Sequence, residues 1–560
     1  MGFVSRSLLV LFALYGLVFA VGDAYLLHGQ APVWAGVIFV AVLIGVQYAV
    51  SPWLIEWFFT IDWDENGVPA AQRAFVDNLC RERGLPMPRM GVIHSGTPNA
   101  FAFGRLRSDA RVVVTEGLLK CLTVDEANAV LAHEVGHIAH YDFAVMALAA
   151  MGPLLLYQIY IWSDRVNNLR LVSYAAYVAY WIGQFLVLLL NRTREYGADH
   201  FSAEVTREPS ALSSALVKIG YGMVRERSES QRLVLEGSSK DEKNDAKRAL
   251  QFGQSLSLMG IAAVSGGEAL TLVNDTPADA ARVMRWDLVN PWARFYELGS
   301  THPLTAMRLK ALNKDSANMG QLGAYPLPED ARVRWAGFPV EFLFWVAPLA
   351  CGFVLISYFW IGRSLGQLGY HAPAHFAPWM LIVLGVTWAA RIAFRYRGSF
   401  APAQVSTLLE DLSVSQMRPQ AVELEGEVIG NGIPGAFWSA DLVLQDETGM
   451  MFLYYRSSIP FGRLFFALRS ADRLIGERVK VRGWYRRGLK PYVEVARVEA
   501  KVSKARTGRG MTTLFGGKDA AEPMEFEDLV ERSYSQWIQL ALTALCVGGG
   551  TIWLFWSLLG

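Results

Sequence analysis

The chain has 560 residues, of which 52% are hydrophobic and only 18% charged, so it is too apolar for an ordinary soluble enzyme and too long for a single domain. Its net charge of +1 provides no basic field for nucleic acid, and no nucleic-acid partner is expected. The four cysteines are widely spaced and form no Cys-x-x-Cys pair, which argues against a disulfide framework and a cysteine-based metal site.

Apolar segments near the length of a bilayer span, which takes ~20 residues, recur along the chain. In order they are Ser7 to Leu27, Val33 to Leu54, Phe143 to Ile161, Leu171 to Leu190, Phe338 to Ile361, Ala377 to Ala390 and Trp537 to Leu559. These segments predict a mainly α-helical, multi-pass membrane protein with about seven transmembrane helices. Residues 1–20 also resemble a secretory signal peptide, so their cleavage is an open alternative.

Arginines mark the predicted orientation. They flank the spans at Arg192 and Arg194, at Arg332 and Arg334, and at Arg391, Arg395 and Arg397. By the positive-inside rule, segments 55–142, 191–336 and 395–535 face the cytoplasm. The expected location is a bacterial-type inner (plasma) membrane.

Segment 55–142 has a mixed helix and strand pattern. The pattern predicts an amphipathic helix over Arg73 to Arg83, ended by Gly84. It also predicts a strand rich in β-branched residues over Arg111 to Thr115. Thr123 to Glu126 has the form of a capping box, so a helix is predicted to start there. No helix breaker follows before Phe143, and this helix is expected to continue directly into the membrane.

That helix carries the sequence His-Glu-x-x-His. His133 and His137 are four residues apart, so both imidazoles lie on one helix face and can reach one metal ion. Glu134 would then stand beside the open coordination position, which is the arrangement used in zinc-assisted hydrolysis. The alternative is a pair of surface histidines without a metal.

A third protein ligand is needed, and Glu195 is the candidate. Residues 143–190 read as a hairpin of two membrane helices, so both ends return to one level and bring Glu195 near the two histidines. Asp199 lies four residues later on the same predicted helix face. Spacing alone leaves open whether Glu195 instead pairs with Arg192 or Arg194.

Five groups of residues, in this order along the chain, carry a resemblance to a known family. They are Asn99-Ala100-Phe101, Val113 to Leu119, Ala132 to Ile138, Arg194 to Asp199, and Thr301 to Leu304 with Arg308. Over residues 70–312 the chain resembles the M48 family of membrane metallopeptidases, the group of HtpX and the CaaX prenyl proteases. The later spans and residues 418–503 lie outside this resemblance.

The resemblance implies a role for each matching residue. His133, His137 and Glu195 match the ligands of one Zn²⁺ per chain, and Glu134 matches the general base that takes a proton from the attacking water. Asp199 matches a carboxylate that orients a ligand imidazole.

Other matches concern the substrate. Asn99, Val113 and Val114 match the edge where a substrate backbone docks as an added strand. His302 matches a histidine near the metal that either stabilises an oxyanion or caps the ion in a resting state. Phe103 departs from the family pattern, which often has a small polar residue there, and could narrow the substrate cleft.

Residues 418–503 alternate apolar and polar side chains and contain turn sequences such as Asp446-Glu447-Thr448-Gly449, which predicts a small OB-like β-barrel. A basic and aromatic run, Arg482 with Trp484 to Arg487, leaves an oligonucleotide face open as the less favoured alternative. The favoured interpretation is a solvated hairpin on a domain that binds a protein partner.

The predicted fold class is a mainly α, polytopic membrane protein with a zincin-like α+β catalytic domain and the OB-like barrel. The predicted domains are two spans in 1–54, a peptidase domain in 55–336 including the hairpin 143–190, a membrane hairpin in 337–394, a linker in 395–417, the barrel in 418–503, a linker in 504–535 and a last span in 536–560.

The predicted function is zinc-dependent endopeptidase activity on membrane or membrane-proximal proteins, in quality control or processing. The expected partners are protein or peptide substrates and the lipid bilayer, with a possible protein partner of the barrel. Two alternatives stay open: processing of prenylated C-terminal peptides, and a zinc-binding membrane scaffold that works through the barrel.

Overall fold

The computed structural model describes most of the chain. The described residues are 33–64, 67–164, 169–220, 276–366, 375–431, 441–457, 463, 466, 472–488, 491–503, 526–533 and 535–559. The predicted first span, Ser7 to Leu27, lies outside them.

The helices with defined bounds are α1 (Val33–Phe58), α2 (Ala70–Arg83), α3 (Glu116–Cys121), α4 (Val124–Ala139), α5 (Asp142–Asp164), α6 (Arg170–Thr206), α7 (Pro277–Val289), α8 (Pro291–Leu298), α9 (Thr305–Asn318), α10 (Phe338–Gly366), α11 (Phe376–Arg395), α12 (Val405–Glu410), α13 (Asp472–Leu474) and α14 (Ser535–Leu559). The strands are β1 (Arg89–Ile93), β2 (Ala100–Phe103), β3 (Arg111–Thr115), β4 (Ala401–Pro402), β5 (Gln420–Asn431), β6 (Asp441–Gln445), β7 (Met450–Tyr454), β8 (Arg478–Arg487), β9 (Pro491–Ser503) and β10 (Phe526–Arg532). The chain divides into two compact units, the first reaching mainly to Asp330 and the second running mainly from Ala331.

The first unit contains a three-stranded sheet with the order β1-β3-β2. β3 lies in the centre, parallel to β1 and antiparallel to β2. Phe101 and Phe103 extend from one face of β2 into an apolar cluster with Phe59, Ile93 and Val113. The other face of β2 is therefore the one available to α4, with which it packs.

The start of α4 follows the sequence prediction. The Thr123 hydroxyl accepts from the backbone N–H of Glu126, and the Glu126 carboxylate accepts from the backbone N–H of Thr123. The same carboxylate also accepts from Ser214 and Lys218, so the cap joins α4 to a neighbouring helical segment. This network holds the helix that carries both histidines.

The predicted continuous helix from Thr123 into the membrane is wrong. α4 ends at Ala139, and Tyr141 takes a left-handed backbone conformation, with φ of 58°, before α5 begins at Asp142. As a consequence of this break, the Asp142 carboxylate lies next to the His137 ring. A left-handed tyrosine is uncommon, and the sequence gives no signal for it.

Within the described residues, five helices are long and apolar enough to cross a membrane: Asp142–Asp164, Leu171–Thr206, Phe338–Tyr358, Phe376–Arg395 and Ser535–Leu558. The first two form the predicted hairpin of the first unit, α5 packed on α6. Large apolar side chains such as Leu148 and Leu171 are exposed on them, as expected for lipid-facing surface. The earlier predicted span Val33 to Leu54 coincides with helix α1.

The second unit combines membrane helices with a closed barrel. α11 packs against α10 and α14. β5 pairs with β6, β6 with β7, β7 with β9, β9 with β8, and β8 again with β5, which closes a five-stranded barrel. β7 and β9 are parallel, and the other pairs in this ring are antiparallel.

The basic and aromatic run in the barrel differs from both sequence interpretations. Trp484, Tyr485, Arg486 and Arg487 are all buried, and the two arginine side chains are almost fully enclosed. Arg487 donates to the carbonyl of Leu409. Apart from the partly exposed Arg482, the run therefore forms neither an oligonucleotide face nor a solvated hairpin. Alternation predicts strands but does not show which face is covered.

Candidate metal centre

Two imidazoles converge on one point beside α4. His133 and His137 are buried, and their Nε2 atoms lie 3.2 Å apart. The rings are nearly perpendicular, with centroids 4.7 Å apart. When neither Nε2 carries a proton, their two lone pairs face each other at this distance, and a cation bound between them would satisfy both.

Glu195 reaches the same point from α6. Its carboxylate oxygens lie 3.7 Å from His133 Nε2 and 3.7 Å from His137 Nε2. The two helices approach closely because position 136 is glycine: a Cβ there would lie 3.2 Å from the Cα of Ala198. The sequence prediction that the membrane hairpin returns Glu195 to the histidines therefore agrees with the observed geometry.

The three side chains fit a metal ion. One ligand atom from each of His133, His137 and Glu195 lies within 4.8 Å of the other two, and all three residues are buried. Donors bound tetrahedrally at ~2.1 Å would be roughly 3.4 Å apart, close to the observed distances. Glu195 Oε2 is a buried oxygen with no hydrogen-bond donor among the described residues, as expected for an atom reserved for a cation.

A carboxylate stands behind each imidazole. Asp199 Oδ1 lies 3.0 Å from His133 Nδ1, and Asp142 Oδ2 lies 2.6 Å from His137 Nδ1. A proton on each Nδ1 leaves the Nε2 lone pair free for a metal. Asp142 was not among the residues selected from the sequence; the signal would have been the short distance, five residues, between it and His137.

Two arginines hold these carboxylates. Arg308 donates to both oxygens of Asp199, at 2.8 and 2.6 Å, and Arg194 Nε lies 3.0 Å from Asp142 Oδ2. Burial opposes the charge of Arg308, but Asp199 outweighs burial and raises the pKa of the guanidinium. Each ligand histidine is thus the inner end of a chain of fixed polar groups.

The electrostatics of the site favour positive charge. Burial alone would lower the pKa of His133, but hydrogen bonds with Asp199 and Glu195 raise it to about 9. For Glu134 the largest effect is burial, which raises the pKa of its carboxyl group. A carboxylate of raised pKa accepts a proton more readily, which suits a general base.

The substrate-side residues are placed differently from the sequence prediction. Val113 and Val114 lie in the central strand β3, which is paired on both sides, so neither can accept an added strand. Across the part of the chain that the structure describes, the outer edge of β2 has no paired strand, and the backbone N–H of Ala102 in this strand lowers the pKa of Glu134 against the larger effect of burial. Asn99 is buried, and its side chain accepts from the N–H of Ala100 at the start of that edge.

Phe103 is buried in the apolar cluster under the sheet, and the expectation that it narrows the substrate cleft is wrong. The strand register explains this result, because Phe101 and Phe103 share the core face of β2.

His302 also comes to the site. Its Nδ1 lies 3.4 Å from Glu195 Oε2, and its backbone carbonyl accepts from the hydroxyl of Ser300. The side chain is only 16% exposed. Sequence separation from Glu195 is more than a hundred residues, so only the family motif could have indicated this neighbour.

Comparisons with known proteins match the part of the chain that contains the metal centre. The profile of peptidase family M48 matches residues 70–316. A protease HtpX homolog from Methanothermobacter thermautotrophicus is 40% identical over 221 residues, covering 84% of that protein and 38% of this chain. One from Pyrococcus furiosus is 29% identical over 319 residues, covering 92% of that protein and 54% of this chain.

The crystal structure of S. mikatae Ste24p is similar at a TM-score of 0.33 and 17% identity, over 55% of this chain and 64% of that one.

The family match and the geometry identify the same residues. The matched residues 70–316 include both histidines, Glu195, Asp199, His302 and Arg308, and they end before the barrel. The chain therefore belongs to peptidase family M48 and is a membrane metalloendopeptidase.

Proposed function

We propose that this enzyme is a zinc endopeptidase that cleaves membrane proteins, or protein segments near the membrane surface, in quality control or processing. One observation carries the proposal: His133, His137 and Glu195 converge beside Glu134, and Glu195 lies on a helix that is itself a candidate membrane span. Chemistry at that place reaches polypeptide at or near the bilayer.

The donor set supports zinc. Two imidazole nitrogens and one carboxylate oxygen are ligands that Zn²⁺ prefers in catalytic sites, where three protein groups leave one position open. One Zn²⁺ per chain, when bound, would polarise the scissile carbonyl and lower the pKa of water. Asp142 and Asp199 would fix the tautomers of the ligand histidines.

Glu134 is the proposed general base. Its carboxylate takes a proton from the attacking water and later gives it to the leaving amine. Burial raises its pKa, and the backbone N–H of Ala102 at the strand edge opposes this with a smaller effect. His302 is the proposed second catalytic residue, placed to donate to the oxyanion of the tetrahedral intermediate.

The edge of β2 is the proposed docking site for an extended substrate. Among the described residues β2 has one paired neighbour, β3, so its other edge can add a strand. Asn99 shapes the start of this edge through its bond to Ala100. A substrate strand there would pass directly by Glu134, which contacts Ala102 of the same edge.

For the membrane topology and domain organisation we propose the arrangement predicted from the sequence. We infer about seven membrane spans, the domain bounds given above, and a catalytic face towards the cytoplasm of a bacterial-type inner membrane. We also infer that the barrel is OB-like. A ring in which its third and fifth strands, β7 and β9, are parallel and its first and fourth, β5 and β8, are antiparallel supports that topology.

Both alternatives are less well supported. The curated relatives carry the name protease HtpX homolog, which favours neither prenyl-peptide processing nor a scaffold role. A scaffold would also have no use for Glu134 beside a complete ligand set.

The test uses the full-length enzyme in nanodiscs with an unmodified membrane protein and with a prenylated peptide. The wild type should cleave the unmodified substrate, and Glu134→Gln should keep its metal but lose about 10²–10⁴-fold in rate. Hydrolysis and metal content by mass spectrometry are the measurements. Cleavage of the prenylated peptide alone would select the alternative, and an active Glu134→Gln would remove the mechanism.

A further inference from the structure

Three arginines of the second unit lie within 4.0 Å of one carboxylate, and a fourth, Arg391, lies about one helical turn before Arg395. The arginine cluster comprises Arg391 and Arg395 near the end of α11, Arg456 after β7, and Arg486 in β8. Glu494 Oε2 lies 2.7 Å from Arg486 Nε and 3.4 Å from Arg395 Nη2. Arg456 is more distant, with Nη1 3.8 Å from Glu494 Oε1.

The charges in this cluster do not balance. Glu494 is the one carboxylate that the described part of the chain brings within 4.0 Å of these guanidinium groups. It also accepts from the hydroxyl of Tyr396, so little of its acceptor capacity is left. Three guanidinium groups therefore share a single carboxylate, and Arg391 adds a further positive charge about one helical turn from Arg395, an arrangement that is costly away from bulk water.

Part of the hydrogen-bonding capacity is unused. Each of the three guanidinium nitrogens of Arg486 donates a hydrogen bond, to Glu494 and to the carbonyls of Gln416 and Arg395. In contrast, Arg395 Nε is buried and has no acceptor among the described residues. Arg391 makes no ion pair in that part of the chain and reaches only the carbonyl of Trp345, at 3.4 Å.

The cluster lies where two candidate membrane helices end. Arg391 and Arg395 occupy the last turns of α11, and the carbonyl of Arg456 accepts from Ser533, just before α14 begins at Ser535. Burial decreases across the group, from 0% exposure for Arg486 to 14% for Arg395 and 35% for Arg456. The accessible side is therefore the one with Arg456 at the level of the membrane surface.

We propose that the arginine cluster binds a phosphate group that carries net negative charge, unlike the choline-balanced phosphate of phosphatidylcholine. Guanidinium groups form paired, charge-assisted hydrogen bonds with phosphate oxygens, and a phosphate would supply the missing negative charge and acceptors. Two sources carry this chemistry at a membrane surface, the head group of an anionic phospholipid and free phosphate. Arg391, Arg395 and Arg456 are the proposed ligands, since Arg486 is already occupied.

The experiment measures lipid binding to the purified full-length protein by native mass spectrometry after detergent exchange. Phosphatidylglycerol and phosphatidylcholine are offered in equal amounts, and inorganic phosphate is titrated in a separate thermal-shift series without lipid. Selective retention of phosphatidylglycerol identifies a lipid site. Stabilisation by inorganic phosphate alone identifies a free-phosphate site, and either result supports the proposal.

Variants make the result specific. Arg391→Gln and Arg456→Gln should each weaken binding about tenfold. Arg397→Gln is the matched control, because Arg397 is exposed near the same helix end and rests on the Phe394 ring, so its loss should leave binding unchanged. Arg391→Lys keeps the charge without the paired donors and covers the case in which Arg391→Gln does not fold.

Two outcomes would overturn the proposal. The first is a wild type that retains both lipids equally and does not respond to phosphate. The second is a loss in Arg397→Gln as large as that in Arg391→Gln, which would reduce the effect to general attraction between basic residues and an anionic membrane.

Discussion

Each ligand histidine of the metal centre has its own carboxylate. Asp199 lies behind His133 and is fixed by Arg308, while Asp142 lies behind His137 and contacts Arg194. The two pairs use different elements, because Asp199 is on α6 and Asp142 begins α5. Both imidazoles are consequently oriented before any metal arrives, which reduces the cost of forming the site.

Asp142 gives the first residue-scale prediction. Asp142→Asn removes the charge that holds the Nδ1 proton of His137, so zinc affinity should fall about 10–100-fold. The measurement is zinc retention against a competing chelator. Asp125→Asn is the control, since Asp125 is exposed on α4 and contacts neither histidine; equal affinity in both variants would contradict the role.

His302 gives the second residue-scale prediction. If its ring donates to the oxyanion, His302→Ala should lower kcat about 10²–10³-fold with zinc content unchanged. Steady-state kinetics with metal analysis would show this. A variant with equal or higher activity would instead assign His302 to capping the resting metal through its position beside Glu195.

At the scale of elements, the N-terminal cap of α4 determines where the histidines stand. Thr123→Ala should lower the free energy of unfolding by about 1 kcal/mol, because one first-turn N–H loses its acceptor. Glu126→Ala should cost more, since Ser214 and Lys218 also lose their partner. Thermal unfolding in detergent measures both losses, with the exposed Thr407→Ala as control. A larger loss in Thr123→Ala than in Glu126→Ala would show that the bonds from Ser214 and Lys218 add little to the stability of α4.

The sequence was sufficient where the signal is local. The capping box at Thr123, the strand Arg111 to Thr115 and the end of α2 at Gly84 appear as predicted, because each depends on neighbouring residues. The metal-ligand group could also be predicted from the sequence, because helix periodicity and the membrane hairpin restrict where Glu195 can be.

Features that depend on tertiary structure could not be predicted from the sequence. Strand order places β3 rather than β2 in the centre of the first sheet, and no local pattern states that order. The left-handed Tyr141 breaks a helix that contains no proline or glycine at the break. Burial of Arg486 likewise depends on Glu494, its partner from the neighbouring strand β9.

At the scale of the whole molecule, the peptidase occupies less than the full chain. The family match ends at residue 316, whereas the barrel and three of the five candidate spans come later. The barrel has its own buried core and charged network, including Glu494, whose burial is outweighed by Arg486, Arg395 and Arg456 so that its pKa falls to about 2. The barrel is thus a folded part of the chain that lies outside the residues matched by the M48 family.

Membrane orientation provides the last prediction. An even number of crossings in the α5–α6 hairpin returns the chain to one side, and the arginines at its base favour the cytoplasm. In a variant with serine at all four native cysteines, Asp164→Cys at the far end of α5 should react with a membrane-impermeant maleimide in intact cells. The exposed Lys120→Cys and Arg397→Cys should react only after permeabilisation. Labelling of Lys120→Cys in intact cells would place the metal centre on the outer face, and labelling of Arg397→Cys alone would require an odd number of crossings between the two positions.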